Sequence, residues 1–489
     1  SDTGSGDGRV IIIVTLTIVL TPSFPSFADF IQLINNETTT APHCKGKYSQ
    51  SEIIMKSEAS VIIVGAGISG LSAAYELQKA GHDVILLEGS DHVGGRMTTV
   101  DWGGFKVDIG AKFVTTTDKS LLEMVRMLGL EDQLVRDESG LTITIYRNDK
   151  LHSANFLSIP SYFGWSGVSL RARLAMFKLI PHFLKMIRLK NVYHLEQAPG
   201  PDLEETYEQF FYNRISEEMF EYWAIPMFEV MCSYSGEDVS SKAFLAMMVA
   251  YMNAKSVTFQ DGVGVLPITL AERFEIELNS RVKRIEVLPD GSGAKVRYEK
   301  DGSEKAISAS SVIVAIPGNY VLNLFELPRP AWQQFFPHVN YSTGALHYHI
   351  VETDYQPEVV GVFIPRSTKL PISGVGFEQY KDGRWLMISD PSIYTFSMDK
   401  PEEQLNKEAV ETASMIFPEI KGKFVDHRIF RWREKVPTFR PGYLGALAKF
   451  WEDPQEGPIY FCGDYFAGPS TGGALYTGKE CAARLLADG

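Results

Sequence analysis

The apolar pattern changes period twice between residues 58 and 90, and each change marks an element. Val61-Ile62-Ile63-Val64 is a continuous β-branched run, as expected of a parallel strand buried on both faces. After Gly65-Ala66-Gly67-Ile68-Ser69-Gly70, apolar residues recur at helical spacing through Leu71, Ala74, Leu77 and Ala80 until Gly81 stops the helix. Asp83-Val84-Ile85-Leu86-Leu87 then predicts a second strand ending at Glu88. Far along the chain, Ile459-Tyr460-Phe461-Cys462 predicts a last buried strand, followed by a Gly463-Asp464 turn and a helix opening at Thr471-Gly472-Gly473. Three strand-like runs at 280–285, 294–298 and 312–316 form a meander, with turn signals at Pro289-Asp290-Gly291 and Asp301-Gly302. Residues 118–255 carry helical periodicity, and 340–400 carry alternating runs.

The first unit has a specific chemical reading. Gly65 makes a tight turn, Gly67 lets the backbone approach a pyrophosphate, and Gly70 lets helix and strand pack closely. The pyrophosphate would meet unpaired N–H groups at the helix N-terminus. Glu88, 18 residues past Gly70, suits a ribose hydroxyl and disfavours a 2′-phosphate. Strand, helix, strand and acid fall in the order a dinucleotide site requires.

The sequel, Asp91-His92-Val93-Gly94-Gly95-Arg96-Met97, resembles the Gly-Gly-Arg signature of the flavin amine oxidase superfamily. That superfamily includes monoamine and polyamine oxidases, protoporphyrinogen oxidases, phytoene desaturases and polyenoic fatty acid isomerases. The resemblance spans 58–489, with dense motifs at both ends and across 280–317. It implies FAD, bound non-covalently because no Cys stands where some relatives tether it. It implies Gly95 and Arg96 at an FAD phosphate, and Gly110-Ala111 as a flavin-side turn that sets Lys112 near the isoalloxazine. The Val282 backbone would touch adenine, Gly463-Asp464 the ribityl chain, and the Thr471 amide the flavin C2 carbonyl. Tyr443, after Trp432–Pro437 and Pro441-Gly442, reads either as an aromatic pocket wall or as a packed core tyrosine.

The expected fold is therefore α/β, a Rossmann-like FAD-binding domain interleaved with a mixed α+β substrate domain. FAD-binding parts are expected at 58–117, 256–325 and 426–489. A helical part at 118–255 and a sheet at 326–425 make the substrate domain. Residues 1–28 read as a signal segment, with the apolar run Val10–Leu20 and a small-x-small site at Ser26-Phe27-Ala28, or else as a buried strand. Residues 29–57 read as a polar leader. The signal reading implies a secreted or endomembrane protein, and sequons at Asn36 and Asn340 fit it.

Charge and cysteine usage narrow the partners. A net charge of −13 argues against nucleic acid. The four cysteines make no metal-ligand spacing, so no metal is expected, and Cys462 and Cys481 read as buried thiols. In 169–190, Arg171, Arg173, Lys178, Lys185, Arg188 and Lys190 interleave with apolar residues. That pattern suits a helix packed on the substrate domain with a solvated basic face, or one lying on a membrane. Oligomeric state is not legible.

Two departures from the amine oxidase pattern bear on the reaction. Where those enzymes carry a lysine holding a water near flavin N5, this chain has Tyr348; where they carry a cage aromatic, it has Ser470. Both point away from a simple amine. The resemblance then implies hydride abstraction from an activated C–H bond of a small lipophilic, unsaturated substrate, giving desaturation, oxidation or double-bond isomerisation. The alternatives are an amine or amino-acid oxidase releasing hydrogen peroxide, and an FAD-bearing binding protein.

Overall fold

The β-branched run forms Glu58–Val64, a central strand in the computed structural model of the chain. The structure describes residues 58–136, 142–156, 158–189, 191–200, 204–250, 254–380 and 382–488. The apolar run at 10–20, its cleavage site, the leader, the Asn36 sequon and Cys44 lie outside these residues.

Glu58–Val64 pairs in parallel with Val84–Leu87 on one side and Ser303–Val314 on the other. Glu275–Glu277 extends the sheet beyond Val84–Leu87, and Ile459–Phe461 pairs in parallel with the end of Ser303–Val314. The predicted meander, Ser280–Val287 and Ala294–Lys300, joins Ser303–Val314 in antiparallel register. Alternate residues of the central strand serve two cores, as the pleat requires. Val61 and Ile63 pack with Leu71, Leu77, Leu475 and Leu485, while Ile62 and Val64 face the larger core.

The helices Ile68–Lys79 and Thr471–Asp488 pack against each other, so the two ends of the described chain build one layer. Small residues set that contact. A Cβ on Gly478 would lie 2.1 Å from the Ser69 carbonyl oxygen, and Ser72 Oγ donates to the Leu475 carbonyl at 2.9 Å.

The second seven-stranded sheet runs in the order Phe424–Trp432, Gly344–Val351, Trp385–Pro391, Ile372–Gln379, Gly361–Phe363, Thr142–Arg147, Lys150–Asn155. Two segments differ from expectation here. Thr142–Asn155, within the stretch read as helical, is a hairpin on the substrate sheet. Its two-residue Asn148-Asp149 loop has φ of 51° and 58°, the conformation that Asn and Asp tolerate and that matches strand twist. Phe424–Trp432 belongs to the substrate sheet through Gly344–Val351, so the boundary expected at 426 falls inside a strand.

Candidate active site

One cavity of about 1100 Å³ runs between the two sheets. Its first end is built on backbone. Gly65 has φ +104°, and a Cβ there would sit 2.7 Å from the Ala315 carbonyl oxygen. Glu88 holds the glycine loop: its carboxylate accepts from Ala66 N, Ser90 N and Ser90 Oγ, each at 2.8 Å. Gly94 N donates to the Ala66 carbonyl at 2.9 Å, bringing the Gly-Gly-Arg turn alongside the loop. Gly110 and Ala111 are held against Arg96, through Ala111 N to the Arg96 carbonyl at 2.8 Å.

Arg96 and Asp464, separated by most of the chain, form a bidentate pair at 2.7 and 2.9 Å. Burial works against the guanidinium charge, but Asp464 outweighs it and raises the Arg96 pKa. At the start of the last helix, Ser470 Oγ accepts from Gly473 N at 2.8 Å, making Ser470 an N-cap. The Thr471 and Gly472 amides have no partner among the described residues.

Gly65, Gly67, Glu88, Gly95, Arg96, Gly110, Ala111, Lys112, Val282, Gly463, Asp464 and Thr471 all line this cavity. Gly70 lies behind it: a Cβ there would lie 2.1 Å from the Gly65 carbonyl oxygen. Tyr443 is a correction to the pocket-wall reading. It is buried, its hydroxyl donates to the Tyr465 carbonyl at 2.6 Å, and Phe335 and Phe439 pack edge-on against it. It is the packed core tyrosine, and its pKa is driven up by burial.

The second end of the cavity is built on side chains. Met227, Phe228, Val230 and Met231 come from the helix Ile225–Cys232, and Met247 and Met248 from Ser241–Ala250. Val362, Phe363, Val375, Phe377 and Ile388 come from the sheet. Charge collects at one place. Lys435 Nζ lies 3.4 Å from Asp390 Oδ1 and donates to Ser233 Oγ at 2.7 Å, while Lys112 Nζ lies 4.0 Å from Asp390 Oδ2. Burial pushes the Lys112 ammonium below the usual lysine range, against the pull of Asp390. Burial also pushes the Cys232 thiol up to about 12.

The strand Gly344–Val351 corrects the placement of Tyr348. The residue it presents to the cavity is Leu346. Tyr348, two residues on, does not line it: it shares an apolar cluster with Leu346 and donates its hydroxyl to the Asp108 carbonyl. His347 and His349 are buried and held neutral, at about 3 and about 4. The sequence reading missed Asp390, and Lys435, within the Trp432–Pro437 run that resembles the family's substrate-face wall, was given no role. Methionine-rich Met227–Met231 and Met247-Met248 was a usable signal for an adaptable apolar wall.

The family model for flavin containing amine oxidoreductase matches residues 68–486. The chain belongs to that family. That family is flavin-containing, which makes FAD the cofactor. A stretch of 73 residues is 48% identical to an L-amino acid oxidase of Cerastes cerastes, covering 14% of each protein. Another of 84 residues is 43% identical to amine oxidase B of Cavia porcellus, covering 17% of this chain and 16% of that protein. These matches thus span about a seventh of the curated relatives. A putrescine oxidase bound to putrescine superposes with a TM-score of 0.71 at 21% identity, over 88% of this chain and 99% of that one. A CLA-producing fatty acid isomerase from P. acnes gives 0.66 at 16% identity, with coverage of 88% and 99%. Both likenesses are of fold.

The residues present fit FAD. Nothing lies within 4 Å of where a Gly67 Cβ would stand, so the loop is open on the side a pyrophosphate would approach. The unpartnered Thr471 and Gly472 amides offer donors to an electron-rich ring edge.

Proposed function

We propose that the enzyme removes hydride from an activated C–H bond of an apolar, unsaturated substrate. The observation that carries this reading is the Met-, Phe- and Val-lined second end of the cavity, with Leu346 at the strand position facing it. When bound, FAD would supply the acceptor for that hydride; desaturation or oxidation would also need loss of a proton to solvent and an external electron acceptor, and isomerisation the return of hydride at another carbon.

The protein supplies position. Gly65, Gly67, Glu88, Gly95 and Arg96 would hold the dinucleotide portion, Val282 the adenine side, and Gly110, Ala111, Gly463, Asp464 and Thr471 the flavin side, with no covalent tether. The apolar wall excludes water and orients a hydrocarbon chain. Lys112, more loosely paired with Asp390 than Lys435 is, would orient a polar end of the substrate. An amine substrate is the second reading, favoured by the local identity to an L-amino acid oxidase. Asp390, a carboxylate on the substrate side of the cavity, already lies between two lysines, which favours the first reading.

The test is anaerobic titration of the holoenzyme, read by flavin absorbance, with polyunsaturated fatty acids and with a panel of amines and amino acids. Bleaching or conjugated-diene products with the fatty acids alone support the proposal. Bleaching by an amine, with peroxide released on admitting air, overturns it.

A further inference from the structure

The segment 169–190 is apolar on two faces. Ala172, Leu179, Phe183 and Met186 are buried in the large core. On the opposite side Leu170, Leu174, Phe177, Leu184 and Ile187 are each at least half exposed. Phe163 of the preceding helix stacks on Phe177 at 6.3 Å and extends the patch. Of nineteen large hydrophobic residues exposed among the described residues, seven fall between 159 and 187, so exposed apolar surface is concentrated here. Scattered exposed apolar residues need no explanation, but a contiguous patch does.

Charge selects what covers the patch. Residues 169–190 hold six Lys and Arg and no Asp or Glu, in a chain whose net charge is −13. Arg171, Lys178, Lys185 and Arg188 are exposed beside the apolar stripe, and none is in an ion pair among the described residues. A second copy meeting this face through a two-fold axis would set like charges against each other. An anionic lipid surface satisfies both the apolar stripe and the cations. No helix among the described residues is long and apolar enough to cross a membrane, so contact would be interfacial.

We propose that the exposed face of residues 170–188 is a membrane-docking surface that seats in the interface of an anionic bilayer. Its placement gives it a use. Ile180–Met186 packs on Ser241–Ala250, whose Met247 and Met248 line the cavity, so docking brings the substrate end of the cavity close to lipid.

The FAD-loaded full chain is sedimented with vesicles of phosphatidylcholine containing about a third phosphatidylserine, and with phosphatidylcholine alone. Binding to the first, weakening with salt, is expected. Each cation contributes about fivefold to partitioning, so Lys178→Glu with Lys185→Glu should lower it at least tenfold. Phe177→Glu with Leu184→Glu should do the same by removing the apolar anchor. Leu327→Glu, at a leucine 91% exposed elsewhere, should change nothing. Flavin absorbance and melting temperature report that each variant is folded. Absence of binding to anionic vesicles overturns the proposal, as does binding that survives both double variants. Self-association lost in those variants without vesicle binding overturns it in favour of a second copy. The readout is independent of turnover, so it stands or falls separately from the substrate reading.

Discussion

At the cofactor end of the cavity Gly65, Gly67, Glu88 and Arg96 come from one short stretch, whereas the substrate end gathers Lys112, Met227, Met247, Phe363, Asp390 and Lys435 from across the chain. The first end works by letting backbone come close to a ligand, and close approach demands glycine at fixed spacing. The second works by filling volume, which many apolar side chains can do. One end is therefore intolerant of change and the other adjustable, within the same cavity.

The strongest way to break the contrast is at the Arg96–Asp464 pair. Arg96→Ala leaves the Asp464 carboxylate, 7% exposed, without its bidentate partner. Stranding a buried charge in this way costs about 3 kcal/mol or more. The variant should lose most of its FAD on desalting and melt at a lower temperature. Arg96→Lys should recover part of the flavin, since an ammonium keeps the charge but not the planar fork. Full flavin content and an unchanged melt in Arg96→Ala would show that the pair does not anchor the cofactor.

Two alanines then separate packing from ligand approach. Gly70→Ala forces a Cβ to within 2.1 Å of the Gly65 carbonyl oxygen and should destabilise the fold by about 2 kcal/mol or more. Gly67→Ala meets no protein atom within 4 Å, so the apoprotein should melt almost as the wild type does. Its loss should appear in FAD affinity alone, measured by titrating apoprotein with FAD. An apoprotein melt lowered as much by Gly67→Ala as by Gly70→Ala would mean that both glycines serve packing.

This division also explains what could be read from the residues. The glycine loop, Glu88, the meander and the last helix each carry a local signature, because backbone geometry restricts which residues can stand there. The hairpin Thr142–Asn155 was legible in principle, through its Asn148-Asp149 turn, but the helical periodicity around it dominated. The Gly110-Ala111 turn set Lys112 near the flavin side, but its meeting with Asp390 and Lys435 had no such signature. Asp390 and Lys435 meet because Trp385–Pro391 and Phe424–Trp432, which Lys435 closely follows, flank the same strand. Tyr443 illustrates the converse: a motif neighbour of the pocket whose side chain turns into the core.

At the substrate end, Lys112→Met should show itself through pH. Burial lowers the folded-state pKa of Lys112, so the unfolded chain binds more protons between that pKa and the ordinary lysine value of about 10.4. Below that window the protein carries the full cost of burying this charge, and the cost is relieved as pH rises through it. Lys112→Met should therefore raise the melting temperature most at the low-pH side of that window, with the gain shrinking as pH rises toward the ordinary lysine value. A gain independent of pH would assign the effect to packing alone.

The smallest expected effect concerns a residue held out of the cavity. Tyr348 stands on the strand that presents Leu346 to the cavity, but its hydroxyl is committed to the Asp108 carbonyl. Tyr348→Phe removes one neutral hydrogen bond and leaves the ring in its apolar cluster, so stability should fall by about 1 kcal/mol. Turnover of whichever substrate bleaches the flavin should stay within about twofold, because transition-state stabilisation comes only from groups that reach the reacting atoms. A tenfold loss in turnover with little change in melting temperature would mean that the hydroxyl leaves Asp108 and enters the cavity during reaction. The apolar character of that wall, on which the hydrocarbon reading rests, would then have to give way to a polar one.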